Sequence, residues 1–118
     1  MMLLAIVAST TITNADIEQD RAQTQDAALI VRADQTYLDL QAKRVRDLNA
    51  SWQHEIAMNH PNEAGMLTRE HLKALQDERF ARMALLAAHW DYTAAREKLV
   101  ADEYAFQVQP KSATSGRG

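Results

Sequence analysis

The stretch WQHEIAMNHPNEAGMLTREH, residues 52–71, holds three of the chain's four histidines together with three glutamates. These are the residue types of a metal site or an acid–base pair. HEIAM, residues 54–58, comes within one residue of the zinc-protease pattern HExxH. In that pattern, histidines four apart on one helix face both reach the metal, and the glutamate beside them acts as base. Met58 stands where the second histidine is needed, and a soft thioether is no zinc ligand. His60 is six residues from His54, about 240° around a continuous helix. His71 lies beyond two breakers, Pro61 and Gly65. The spacing predicts neither a metal site nor a catalytic centre. His54 and His60 instead suit a helix C-terminus, where an imidazolium complements the dipole.

Other chemistries fare no better. Di-iron bundles need Glu-x-x-His on an inward face, and no glutamate of this chain has a histidine three residues later. The chain has three glycines, Gly65, Gly116 and Gly118, and they form no phosphate-cradling loop. Neither Ser9 nor Ser51 lies at a strand-to-helix elbow that would expose a nucleophile. The absence of cysteine removes disulfides, thiolate metal sites and thiol catalysis. His89, Trp90, Asp91 and Tyr92 are consecutive, so on a helix they point to different faces and cannot converge on a substrate. The sequence therefore predicts no enzyme and no cofactor. Its aromatic residues read as core or interface anchors.

The elements that carry these residues are helices. The chain has 118 residues, 47% of them apolar, with alanine the commonest type, three glycines and two prolines. That composition favours long helices and disfavours strands. No glycine or proline interrupts residues 14–58, and none interrupts residues 69–106. Thr13 or Asn14 can cap the first helix, and Asp16 and Glu18 suit its positive end. Val31, Leu38, Ala42, Val45, Leu48, Trp52 and Ile56 recur at helical spacing and predict one inward stripe. In the second segment Leu72, Leu75, Met83, Leu86, Trp90 and Ala94 predict the facing stripe, widened by Phe80, Tyr92, Leu99 and Phe106. Thr68 reads as an N-cap, with Leu67 and Leu72 as a hydrophobic staple. The expectation is an all-α, long antiparallel helical hairpin: a helix over about 14–58, a turn over 59–67 and a helix over about 68–107. Residues 1–13 form an apolar arm before it, and residues 109–118 a flexible polar tail after it.

Charge says little about partners. Residues 16–47 carry seven acids and five bases, and residues 69–103 carry seven acids and six bases. Interspersed charge with a net value of −3 argues against direct nucleic-acid binding. Met1 to Ala8 is apolar but has no lysine or arginine ahead of it, which argues against a secretory leader despite the small residues before Asp16. It is too short to span a bilayer. It reads as an arm that docks on a partner subunit or contacts a membrane.

A hairpin of this kind leaves apolar residues unpartnered: Ile30, Tyr37 and Leu40 on the first helix, Leu85, Tyr92 and Leu99 on the second. With disulfides excluded, self-association and contacts with other subunits are the expected remedy. The apolar start, then NADIEQDRAQTQDAA, then YLDLQAKRVRDLNASW, together resemble the internal virion, or ejection, proteins of short-tailed phages. The likeness covers residues 1–58 and assigns no residue a role. It implies helical proteins stored in the capsid and rearranged into a conduit for DNA transfer. The function expected is thus a non-enzymatic structural subunit of a helical assembly, in a virion or at an envelope. The alternative is a soluble coiled-coil adaptor or chaperone that binds one partner helix.

Overall fold

The computed structural model describes residues 11–110. Two helices account for nearly all of them: α1, Asn14–Ala57, and α2, Pro61–Val108. The chain is an all-α helical hairpin. It divides into two compact units, one made of α1 up to Ala27 with α2 from Tyr92 onward, the other spanning Ala28–Asp91. Of the arm expected over 1–13, residues 1–10 lie outside the described residues, as do residues 111–118 of the tail expected over 109–118.

Helix α1 starts on a capping box. The Thr13 hydroxyl accepts from the Asp16 amide at 3.2 Å, and the Asp16 carboxylate accepts from the Thr13 amide at 2.9 Å. Two otherwise orphaned donors are satisfied reciprocally. The helix ends on a Schellman motif. His60 N–H donates to Glu55 C=O at 2.9 Å, and Asn59 N–H donates to Ile56 C=O at 3.0 Å. Asn59 takes the left-handed conformation this requires, with φ of 60°. Proline at the first position of α2 then starts the next helix at once, because its missing N–H would be orphaned there anyway.

This turn is tighter than the sequence suggests. The expected loop over 59–67 shrinks to the three residues 58–60, and α2 begins at Pro61, seven residues before Thr68. Gly65 is helical, with open space around it. Thr68 is no cap: its hydroxyl donates back to the Ala64 carbonyl at 2.9 Å, as in a helix interior. One glycine does not break a helix already nucleated at proline, since it costs only about 1 kcal/mol.

In the unit Ala28–Asp91, α1 turns Val31, Leu38, Val45, Leu48 and Trp52 towards α2, all half-buried at steps of seven, seven, three and four residues. Facing them on α2 are alanines. Ala74, Ala81 and Ala88 recur every seven residues and are buried, Ala74 completely. Leu67 and Leu85 lie half-buried on the same seam. Large residues of one helix thus meet a column of methyl groups on the other, a size match that lets knobs enter holes at close approach.

The face expected for α2 is therefore the wrong one. Leu72, Leu75, Met83, Leu86 and Trp90 are all exposed, Trp90 to 68%. Ile56 on α1 is also exposed, whereas Leu85, Tyr92 and Leu99, expected to lack an intrachain partner, are half-buried. The physical reason is size. A bulky stripe and a small stripe share one helical period, and the small one permits closer packing against bulky α1.

Two substitutions measure this register. Replacing Ala74 with leucine forces extra volume into a closed contact and should cost about 1–3 kcal/mol. Trp90→Ala, at an exposed position, should stay within about 0.5 kcal/mol. Urea unfolding at matched low concentration, where association contributes least, compares them, and the opposite order would mean that Trp90 faces inward.

Candidate functional site

With the seam taken by alanines, the large apolar residues of α2 point away from α1. In the unit Ala28–Asp91, Leu72, Phe80, Met83, Leu86 and Trp90 are each more than half exposed. Spacings of three, four and seven residues put Met83, Leu86 and Trp90 on one strip of helix surface. α1 adds Leu29, Ile30, Tyr37 and Leu40, all exposed. In the other unit, exposed Val100 borders an open apolar depression with Tyr92, Thr93, Arg96 and Ala101. α2 is thus apolar on two faces, the condition of a helix buried on two sides. Scattered exposed leucines are ordinary, but large apolar residues aligned on one helix face form a candidate interaction surface.

Of the residues the sequence singled out for helix contact, Val31, Leu38, Val45 and Trp52 lie on the seam of their unit, and Leu99 is half-buried in the other. Ile56, Leu72, Leu75, Met83, Leu86 and Trp90 lie outside any seam. The alanines were missed because each contributes little hydrophobicity, although their seven-residue recurrence is visible in the sequence.

Polar residues in the seams fix the pairing. In the unit Ala28–Asp91, Arg44 donates across to Asp77 at 3.2 Å, and Lys73 donates to the same oxygen at 3.2 Å. In the other unit Asp20 is buried to 2% exposure, and Lys98 reaches over from α2 to donate to its Oδ1 at 2.7 Å. Lys98 also donates to Asp102 at 3.0 Å. The second Asp20 oxygen, Oδ2, is buried and accepts no hydrogen bond. Hydrogen bonding with Asp20 first, and with Lys98 second, holds the Asp102 carboxyl below its ordinary range. The same two carboxylates hold the Lys98 ammonium above its ordinary range, Asp20 first. Nearby, the Gln109 carboxamide donates to the Ile12 carbonyl at 2.8 Å and accepts from the Ile12 amide at 3.2 Å. This closes the start of α1 onto the end of α2 within that unit.

As expected, His54 lies in the last turn of α1 and His60 just beyond its end. His54 and His89 are exposed and His71 is half-buried on the α2 seam. His60 leaves the helix at the turn, and its Nδ1 lies 2.6 Å from Glu55 Oε2. Glu63 joins them: one ligand-type atom from each of Glu55, His60 and Glu63 lies within 4.8 Å of the others. Angles around a continuous helix no longer apply once Asn59 adopts a left-handed backbone. Among the described residues no helix is long and apolar enough to cross a membrane.

No protein-family model, no curated protein and no solved structure matches this chain. Its functional reading therefore rests on surface and geometry.

The Asp20–Lys98–Asp102 network gives stability two pH limits. Asp102 is depressed when folded, so its contribution is present above the ordinary carboxylate range and disappears as pH falls below about 4. Lys98 is raised when folded, so its contribution is present at neutral pH and disappears as pH climbs past about 10.4. Lys98→Met should lower the thermal midpoint at neutral pH, because it leaves Asp20 buried without its cation, and should flatten the alkaline limb. A midpoint–pH profile identical to that of the wild type would exclude this network as a stabilising element.

Proposed function

We propose that the protein is a non-enzymatic structural subunit of a multi-protein helical assembly, in which helices of neighbouring subunits cover the outward face of α2. The observation that carries this reading is the exposed strip of Leu72, Phe80, Met83, Leu86 and Trp90 in the unit Ala28–Asp91. Burying one such side chain is worth about 1.5–3 kcal/mol, so the strip together is comparable with the whole stability of a small domain. The alanine seam supplies little in its place, since a methyl group contributes only about 0.8 kcal/mol on the same scale. Among the described residues no large side chain is fully buried. A chain so constructed gains most of its apolar burial on association.

A virion component of a short-tailed phage is one such assembly, suggested by the resemblance of residues 1–58. Self-association and contact with other subunits are the partners this reading requires, and Met1 to Ala8 add a second apolar segment for docking or membrane contact. Interspersed charge supports protein rather than nucleic acid as the neighbour.

Sedimentation and circular dichroism together test the proposal. The wild-type chain should form large or heterogeneous species whose helix content and melting depend on concentration. Leu86→Glu with Trp90→Glu, both at exposed positions, should abolish association while preserving the dilute chain's helix content. A wild-type monomer with a cooperative, concentration-independent transition would refute the reading. A discrete small dimer would favour the adaptor that takes a single partner helix.

A further inference from the structure

The turn between α1 and α2 places three metal-ligating side chains together by backbone geometry, not by helical spacing. In a Schellman motif, the residue three positions inside the helix end approaches the second residue past the cap, usually as an apolar contact. Here those two positions are Glu55 and His60, and their side chains meet at 2.6 Å. Proline at the head of α2 makes His60 the N-cap of the next helix as well, with its carbonyl accepting from Ala64 N–H at 3.0 Å. Glu63 is then the third residue of α2, the position whose side chain reaches back towards the N-cap. One capping geometry therefore delivers all three ligands.

Several carboxylates of the described residues lack an arginine or lysine partner, but here two of them converge with an imidazole. Glu18, Asp47, Asp77, Glu78 and Glu103 each pair with an arginine or lysine. Among the described residues neither Glu55 nor Glu63 has such a partner, and the imidazole is the only basic group that meets Glu55. Two carboxylates converging without a fixed cation leave a negative site. The ligand atoms lie within 4.8 Å of one another, whereas donors around a zinc ion with bonds of about 2.0–2.2 Å stand roughly 3.0–3.5 Å apart. Glu63 is exposed and can close that gap by changing rotamer.

We propose that Glu55, His60 and Glu63 bind one divalent transition-metal ion, which clamps the end of α1 to the start of α2. One imidazole and two carboxylates form an N/O donor set suited to zinc or manganese, and zinc binds the tighter of the two. Water completes the shell, since His60 and Glu63 are open to solvent. Nδ1 of His60 ligates as part of the neutral imidazole with its hydrogen on Nε2, so the ion takes the place of the His60–Glu55 contact. This site is independent of the assembly surface on α2.

The test is isothermal titration of the full-length, tag-free chain with zinc chloride and then manganese chloride at neutral pH. One zinc per chain is expected, with weaker manganese binding. His60→Ala and Glu63→Gln should each weaken zinc at least about tenfold, as even supporting groups around a metal do. His54→Ala and His89→Ala should leave it unchanged. Zinc should also raise the thermal midpoint of the wild type and not that of Glu63→Gln, whose exposed site leaves the fold intact. Absence of saturable one-to-one binding would overturn the proposal. So would wild-type affinity in both ligand variants, or a loss of binding that follows His54 or His89.

Discussion

Close approach of α2 to α1 through alanine is the constraint from which the other features follow. In the unit Ala28–Asp91, Ala74, Ala81 and Ala88 are buried to within a few per cent, at intervals of seven. A methyl column is the one surface of α2 against which valine, leucine and tryptophan of α1 fit without spreading the helices. Once that column faces inward, helical geometry obliges Met83, Leu86 and Trp90 to face out. The outward apolar strip is a consequence of the seam. It also explains why a chain that is 47% apolar buries so few large side chains within itself.

A seam of small residues gives modest energy and weak specificity, so polar groups bear much of the work of alignment. Methyl columns repeat, and a slip of one heptad would exchange one alanine for the next. Buried Asp20 prevents this in its unit. It needs Lys98 opposite, and any other register leaves its charge unpaired in a dry contact, which is strongly destabilising. The pairing of Arg44 with Asp77 does the same in the other unit at lower stakes, because both groups are partly solvated. Polar positions at a helix seam are known to specify register at a cost in stability.

The two ends of the turn are over-determined in a way the helix faces are not. Asn59 supplies the left-handed residue, Pro61 fixes the first dihedral of α2, and the backbone of His60 serves both caps. Each of these choices restricts the angle at which the chain reverses, and together they make a short, stiff connection. A stiff turn fixes the start of α2 against the end of α1. It also holds Glu55, His60 and Glu63 in fixed relation, the precondition for any ligand chemistry at that end.

By itself the sequence determined the fold class and the capped start of α1. Breaker-free runs, strong helix formers and the Thr13–Asp16 box are local properties, and local propensity decides them. It also determined the α1 face, because Val31, Leu38, Val45 and Trp52 form the larger of that helix's apolar stripes. The α2 face was left open. Stripes through Leu72 and Leu86 and through Ala74 and Ala81 have the same period, and hydrophobicity ranks the bulky one first. Only the tertiary structure decided between them, because the choice depends on the size of what lies opposite. The turn is similar. Pro61 and Gly65 both looked like breakers, and only the continuous hydrogen bonding of α2 through Gly65 distinguished a helix start from a loop. The meeting of His60 with Glu55 was hidden for the same reason: it depends on the left-handed φ of Asn59, which cancels every angle counted along a straight helix.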